Sequence, residues 1–181
     1  MTYTTKELEN QAVLNTMAAM CAAARTAPKT KGQDYIHTLV LTGKEQQMVA
    51  DKMIALGQEY FGENYKSWFG RDAKNVADAD GLVLIGVKNA CRGIPHCGIC
   101  GFENCAACGQ AGGVCGYTHI DLGIALGSAV SVAADLRTDS RIMFSAGKAA
   151  MELGLGEDGV IWQGIPVSLS GKSIFFDRKV D

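Results

Sequence analysis

No run of about 18 apolar residues occurs in this 181-residue chain, so the sequence predicts no membrane-spanning helix. The residues after Met1 are polar, and Asn10, Gln11, Asn15 and Thr16 interrupt the apolar face around Met17, so no signal peptide is predicted. No dense Lys/Arg stripe is present and the net charge is -2, which argues against a nucleic-acid binder. Also missing are a Ser/His/Asp arrangement, a phosphate-binding glycine loop and a paired-acid motif, the patterns that would point to a hydrolase or a kinase. Internal repeats, linkers and low-complexity tracts do not occur. These absences lead to the expectation of a cytoplasmic protein with neither nucleic acid nor membrane as partner. Its length fits one domain, residues 1–181, able to bury a core without staples.

Charge is scarce in one place above all. From Gly93 to Ile120 the only formally charged residue is Glu103, and six of the seven cysteines lie between Cys91 and Cys115 in a stretch crowded with glycine. Residues 91–116 therefore read as a cysteine-rich insertion within the domain. Thiols stay reduced in the cytoplasm, where clustered cysteines bind metal more often than each other.

The run Cys97-Gly-Ile-Cys100-Gly-Phe-Glu-Asn-Cys105 is a CxxC pair with a third thiol after four residues, and Cys115 supplies a fourth beyond a glycine-rich turn. Four thiolates satisfy one 4Fe-4S cluster, which makes Cys97, Cys100, Cys105 and Cys115 the first ligand set. Glycines at 98 and 101 would permit positive φ angles and bring backbone N–H groups near sulfur, and a β-branched residue there should hinder that approach. Ile99, Phe102 and Val114 would limit water access and so help set the reduction potential. Cys91 and Cys108 are left over, and Cys100, Cys105 and Cys108 also reproduce the CxxxxCxxC spacing of a plant-type 2Fe-2S ferredoxin, the second-ranked set. Structural zinc is the further alternative. Its CxxC pairs, however, are usually about 15 to 20 residues apart, far more than here.

Weaker candidates surround this segment. His96 adjoins Cys97 and could donate a hydrogen bond or replace a ligand, although an ordinary loop histidine is the simpler reading. His37 and His119 show no partner pattern. Cys21 reads as an inert buried thiol. Arg25, Lys29 and Lys31 beside Pro28 could bind a phosphate, against the plainer reading of a solvated basic loop. Asp121 reads as a helix cap rather than a base.

The remaining sequence predicts alternating helices and strands. Thr4 with Glu7 forms a capping box for a helix through Val13, Met17, Met20 and Ala24 that stops at Pro28. Tyr35 to Leu41 reads as a buried strand. Thr42 with Glu45 marks a second capping box, for a helix through Tyr60. A short helical pattern follows in 61–78, and 81–87 has the length and apolarity of a strand. Ile120 to Leu136 reads as a largely buried helix and 141–153 as another. Val160 to Leu169 reads as a strand, with Ser170-Gly171-Lys172 turning into a hairpin or edge strand over Ser173 to Phe176.

CGICGFENC resembles the CGxCGxxxC core of small 4Fe-4S domains found in anaerobic electron-transfer and corrinoid-linked proteins. Cys97 to Arg178, including IDLGIALGSAVSVAADLRTDSRIMFSAGKAAMELGL and GIPVSLSGKSIFFDR, resembles a bacterial and archaeal family of ferredoxin-domain-containing proteins of about this length. The order of elements, with AARTAPKTKGQDYIHTLVLTGKEQ and AKNVADADGLVLIGV, is similar to that of FMN-dependent nitroreductases. That likeness implies an α+β fold: a nitroreductase-like sandwich of a mixed or antiparallel sheet and helices, forming a homodimer with FMN at the subunit interface. Arg25, Lys29, Asn75, Gly147 and Arg178 fall where flavin contacts would be expected. The arginine-rich segment that grips flavin phosphate in that family has no equivalent near this N-terminus, and Lys31-Gly32-Gln33 replaces its Asn-containing loop. The resemblances together imply an electron-transferring oxidoreductase exchanging electrons with a redox partner protein or a small-molecule acceptor. The competing reading is a non-enzymatic module that senses redox state or iron, or holds structural zinc.

Overall fold

A computed structural model describes residues 1–176. The first helix, α1 (Thr5–Thr26), starts at the predicted capping box: the Glu7 N–H donates to Thr4 Oγ1 at 3.3 Å and the Thr4 N–H donates to Glu7 Oε2 at 2.7 Å. These bonds satisfy backbone donors that a helix start otherwise leaves unpaired. Then follow β1 (Ile36–Leu41), α2 (Gly43–Phe61), α3 (Phe69–Asp78), β2 (Gly81–Lys88), a short α4 (Cys105–Gln110), α5 (Gly116–Asp135), β3 (Asp139–Ser140), α6 (Phe144–Glu152) and β4 (Val160–Ser168).

The four strands form one sheet in the order β1-β2-β4-β3, and every described pairing is antiparallel. Side chains alternate between the faces of a strand, and β2 shows what that does here. Val83, Ile85 and Val87 meet α1 and α5 on one side, while Leu82 and Leu84 meet α2, α3 and α6 on the other. Burial on both faces is why 81–87 reads as an unbroken apolar run rather than an alternating one. Each such side chain contributes about 1.5–3 kcal/mol by leaving water. In α5, Ala125, Ala129 and Ala133 recur every fourth residue and are fully buried, so the small stripe lets α1 approach with Met17, Met20 and Ala24.

Several sequence expectations are corrected. The central helix begins at Gly116, not Ile120, because Cys115 takes the N-cap position. Thr42 is the N-cap of α2 but its side chain makes no capping bond; Gly43 enters that helix with φ 58°. The helix expected from residue 141 begins at Phe144, after Met143 bridges to Gly164. No strand forms over Ser173 to Phe176: residues 174–176 form a turn, and Phe175 is buried in the core cluster on the α2, α3 and α6 side of the sheet instead. The two-residue β3 had no signal in the sequence.

Asp80 fastens the start of β2 to the end of β4. Its Oδ2 accepts from the Leu169 N–H at 2.9 Å and from Ser168 Oγ at 3.2 Å, and its Oδ1 from Lys6 Nζ at 3.0 Å. Burial pushes this carboxyl up, but the Leu169 N–H, Lys6 and Ser168 outweigh it and the net shift is downward. A depressed folded-state pKa adds stability that is present above the unfolded value and lost as the pH falls through the folded one. Acid titration of stability should therefore show a loss beginning below about pH 4 that the Asp80→Asn variant lacks. An unchanged acid limb in the variant would count against this role.

Candidate metal centre

Asn89, just beyond β2, closes the base of the cysteine segment. Its Nδ2 donates to the Gly113 carbonyl at 3.0 Å, and its Oδ1 accepts from the Cys115 N–H at 3.2 Å. A buried ion pair adds a second tie. Arg92 donates to Asp121 Oδ2 through Nε at 3.2 Å and Nη2 at 3.0 Å, and Nη1 reaches the Ala90 carbonyl at 2.7 Å. The other oxygen of Asp121 accepts from the Thr30 N–H at 3.0 Å and from its hydroxyl at 2.7 Å. The guanidinium also lies 4.5 Å from the centre of the Tyr35 ring. One charge pair thus joins the loop after α1, the start of the cysteine segment and α5. Asp121 is therefore not a cap: it lies in the second turn of α5, facing Arg92.

Between these ties the chain wraps a cavity of about 440 Å³ whose wall includes Cys91, Cys97, Cys100, Cys105, Cys108 and Cys115. All four residues of the first ligand set are there, as are the two left over. None of the seven cysteines is in a disulfide. Cys21 lies elsewhere, on α1 against the core, where burial pushes its thiol up. His96 lines the cavity with φ 56°, while His119 is exposed and His37 Nδ1 sits 3.4 Å from Glu157.

The glycines do what the spacing required, for a narrower reason than expected. Gly98 and Gly101 have φ 54° and 81°, yet no protein atom lies within 4 Å of where a Cβ would sit. The constraint is the backbone angle, which a β-branched residue adopts only with strain, and not a close neighbour in the protein.

The electrostatics favour negative sulfur at Cys100. Its thiol is held below the usual range chiefly by the backbone N–H of Phe102, with the Cys108 thiol and the Gly116 N–H also lowering it against the effect of burial. Gly116 is the first residue of the 20-residue α5, so the positive end of that helix faces the cavity. Cys108 is buried and its thiol is pushed up to about 11, first by loss of water and then by its contacts with Cys100 and Cys91. Cys91 is exposed, donates to the Cys105 carbonyl at 3.5 Å, and is also pushed up. Among the described residues, no three His, Cys, Asp or Glu groups are gathered as tightly as a single ion requires. The thiols line the wall of the cavity instead.

The four described residues assigned to flavin by resemblance, Arg25, Lys29, Asn75 and Gly147, do not come together. Arg25 Nε pairs with Asp34 at 3.0 Å and its Nη1 donates to the Ile36 carbonyl at 3.0 Å. Lys29 is drawn over the end of α1, donating to the carbonyls of Ala24 at 3.2 Å and Ala27 at 2.7 Å, with only 6% of its side chain exposed. Asn75 and Gly147 belong to α3 and α6, across the sheet from α1. At Gly147 a Cβ would lie 2.0 Å from the Trp162 carbonyl oxygen, so this glycine serves helix–sheet packing. Arg178 lies outside the described residues.

Sequence reasoning missed Arg92, Asn89, α4 and the α5 N-terminus. One signal was available for the first: Arg92 and Asp121 are opposite charges bracketing a segment that otherwise carries only Glu103. A charged residue at each border of a nearly uncharged stretch suggests a pair, since a buried charge is stable only when partnered.

Fold and cavity together define a nitroreductase-like α+β protein carrying a cysteine-rich centre. The fold is shared with a nitroreductase with bound FMN from Desulfitobacterium hafniense (TM-score 0.59, 16% identity, covering 87% of this chain and 78% of that one). It is shared too with a BluB-like flavoprotein from Clostridium difficile (TM-score 0.56, 15% identity, covering 92% and 83%). An uncharacterized protein of Archaeoglobus fulgidus is 40% identical over 181 residues, 96% of this chain and 95% of its own length. Residues 111–178 match the family described as an uncharacterized protein containing a ferredoxin domain, and the chain belongs to that family. A ferredoxin domain points to redox chemistry and to an iron-sulfur cluster. No helix among the described residues is long and apolar enough to cross a membrane.

Proposed function

We propose that Cys97, Cys100, Cys105 and Cys115 hold a 4Fe-4S cluster and that the protein is a cytoplasmic electron-transfer oxidoreductase. The observation that carries this reading is the single cavity lined by these thiols. At about 30 Å³ per water molecule, 440 Å³ exceeds what one ion needs and suits a polynuclear group. The donor set is soft sulfur, and the backbone N–H groups of Phe102 and Gly116 face the Cys100 sulfur, so the residues fit such a cluster. When bound, it would supply one-electron storage. The chain's own part is to hold the thiolates, to offset their charge with the N-terminus of α5, and to limit water through Phe102 and Ile94 at the cavity wall. Electrons would be exchanged with a redox partner protein or a small-molecule acceptor.

Anaerobically purified protein is expected to contain roughly four irons per chain with a broad absorption shoulder in the visible. Serine at Cys97 or Cys115 should each remove most of that iron. A colourless protein with one zinc per chain would sink the proposal, and iron lost from Cys108→Ser but kept in Cys115→Ser would replace the ligand set.

FMN is a second reading with one observation in favour. Gln33 Oε1, on the loop after α1, is buried without a hydrogen-bond partner among the described residues, and a flavin donor could fill that place. Against it, Arg25 and Lys29 are engaged with Asp34 and the end of α1, so they do not fit a flavin phosphate as they stand. Yellow cofactor released on heat denaturation would restore that reading. The homodimer belongs to the same proposal, supported by Ile120 and Ile124 exposed on α5.

A further inference from the structure

Of the four thiols in the proposed ligand set, Cys97, Cys100 and Cys105 lie within nine residues of chain, whereas Cys115 comes ten residues later, beyond Gly109, Gly112 and Gly113. A ligand at the far end of such a turn is held in place only if something outside the turn orders it. Asn89 does this. It directly follows β2, whose last N–H, on Lys88, donates to the Tyr35 carbonyl at 2.9 Å. Its one planar amide meets the chain on both sides of Val114: Nδ2 donates to the Gly113 carbonyl at 3.0 Å, and Oδ1 accepts from the Cys115 N–H at 3.2 Å. Oδ1 also lies 3.4 Å from the hydroxyl of the buried Thr118. The Thr118 N–H donates to the Cys115 carbonyl at 2.9 Å, so Cys115 is fixed through both its N–H and its carbonyl. Just beyond, Gly116 backs onto the Cys97–Cys100 turn, where a Cβ would lie 3.4 Å from the Ile99 carbonyl carbon and oxygen. Held at Cys115, the start of α5 stays against the other ligands.

We infer that Asn89 is a positioning residue for the cluster site, selecting Cys115 as the fourth ligand by ordering its backbone before metal arrives. The inference rests on the cluster reading, which makes Cys115 a ligand. Six thiols line the cavity, so Cys91 and Cys108 compete for any place the first three ligands leave open. The thiol whose backbone is already fixed gives up least freedom on binding, and so it takes the place. A second consequence is electrostatic. Asn89 turns the Cys115 N–H toward the end of β2 rather than toward sulfur, and its amide is neutral, so it adds no charge beside the ligand. A carboxylate at this position would make a bound cluster harder to reduce.

The test compares anaerobically isolated full-length wild type with Asn89→Leu, which keeps the size of the side chain and none of its hydrogen bonds, and with Asn89→Asp, which keeps the oxygen that accepts from Cys115. Iron release to excess EDTA, peptide-mapped alkylation by iodoacetamide and midpoint potential are read side by side. Wild type should keep Cys97, Cys100, Cys105 and Cys115 unalkylated. In Asn89→Leu, iron should leave roughly tenfold faster, and Cys115 alone of the four should become alkylated. Asn89→Asp should keep Cys115 protected while reduction becomes roughly tenfold less favourable, a potential lower by about 59 mV for one electron. An Asn89→Leu protein that holds its iron at the wild-type rate overturns the positioning role and spares the cluster. So does alkylation of all four thiols together, which would mark Asn89 as general support for the fold. Asn89→Asp protein with the wild-type potential, or with iron release as fast as in Asn89→Leu, overturns it as well. Wild type alkylated at Cys115 while keeping its iron overturns both the ligand set and the role of Asn89. Protein without iron as isolated overturns the cluster and the inference together.

Discussion

Arg92→Ala is expected to lower the unfolding free energy by about 3–5 kcal/mol, because it leaves the carboxylate of Asp121 buried without its counter-charge. Both side chains are nearly sealed from water, at 1% and 2% exposure, so solvent screening cannot soften the loss. Thr30 would still donate two hydrogen bonds to Asp121, but to one oxygen only, and the Oδ2 that met the guanidinium would have none of its former partners. The converse change has a different expected outcome. Replacing both partners, Arg92→Met with Asp121→Leu, removes the unpaired charge along with the pair, and most of the stability should return. Urea unfolding of the variants side by side measures this, read as midpoints at an unchanged slope. A loss under about 1 kcal/mol for Arg92→Ala would mean that the pair is more solvated than its burial indicates.

The second large effect sits where α6 crosses β4. Gly147→Ala places a methyl group 2.0 Å from the Trp162 carbonyl oxygen and within 3 Å of the Gln163 Cα, both of them backbone in a paired strand. Neither can step aside without disturbing the pairing of β4 with β2, so a loss of about 3 kcal/mol is expected. Gly164 makes the same contact from the other side: a Cβ there would lie 2.4 Å from that of Ala146. The control is the identical change at Gly123 in α5, where no atom lies within 4 Å of the new Cβ. There alanine should stabilise by about 0.5–1 kcal/mol, because a helical glycine gives up more backbone freedom on folding. Thermal midpoints moving in opposite directions for the two variants would bear this out; a neutral Gly147→Ala would show that α6 can lift from the sheet.

The legible parts of this chain are those where a local pattern and its tertiary role coincide. Thr4 and Glu7 are three residues apart, and a capping box needs nothing else, so the start of α1 could be read directly. β2 was readable because burial on both faces leaves an apolar run with no competing pattern. The tail fooled the pattern. Ser170-Gly171-Lys172 has turn chemistry, but Phe175 is buried in the core cluster that α2, α3 and α6 form with the sheet, and no edge strand forms over 173–176. Gly147 was open to a wrong role for a similar reason, since a missing side chain looks the same whether a ligand or a backbone carbonyl occupies the space.

The sequence by itself determined the chemistry on offer: soft sulfur ligands in a short glycine-rich segment with almost no charge, set in an alternation of helices and strands. Only the tertiary structure decided how those thiols are divided. It brought all six to one cavity, buried Cys108 and left Cys91 in reach of solvent, turned the N-terminus of α5 toward Cys100, and set Arg92 against Asp121 across 29 positions of chain. Residue types and spacings fix which bonds are available, whereas burial and the direction of a helix depend on what packs behind them.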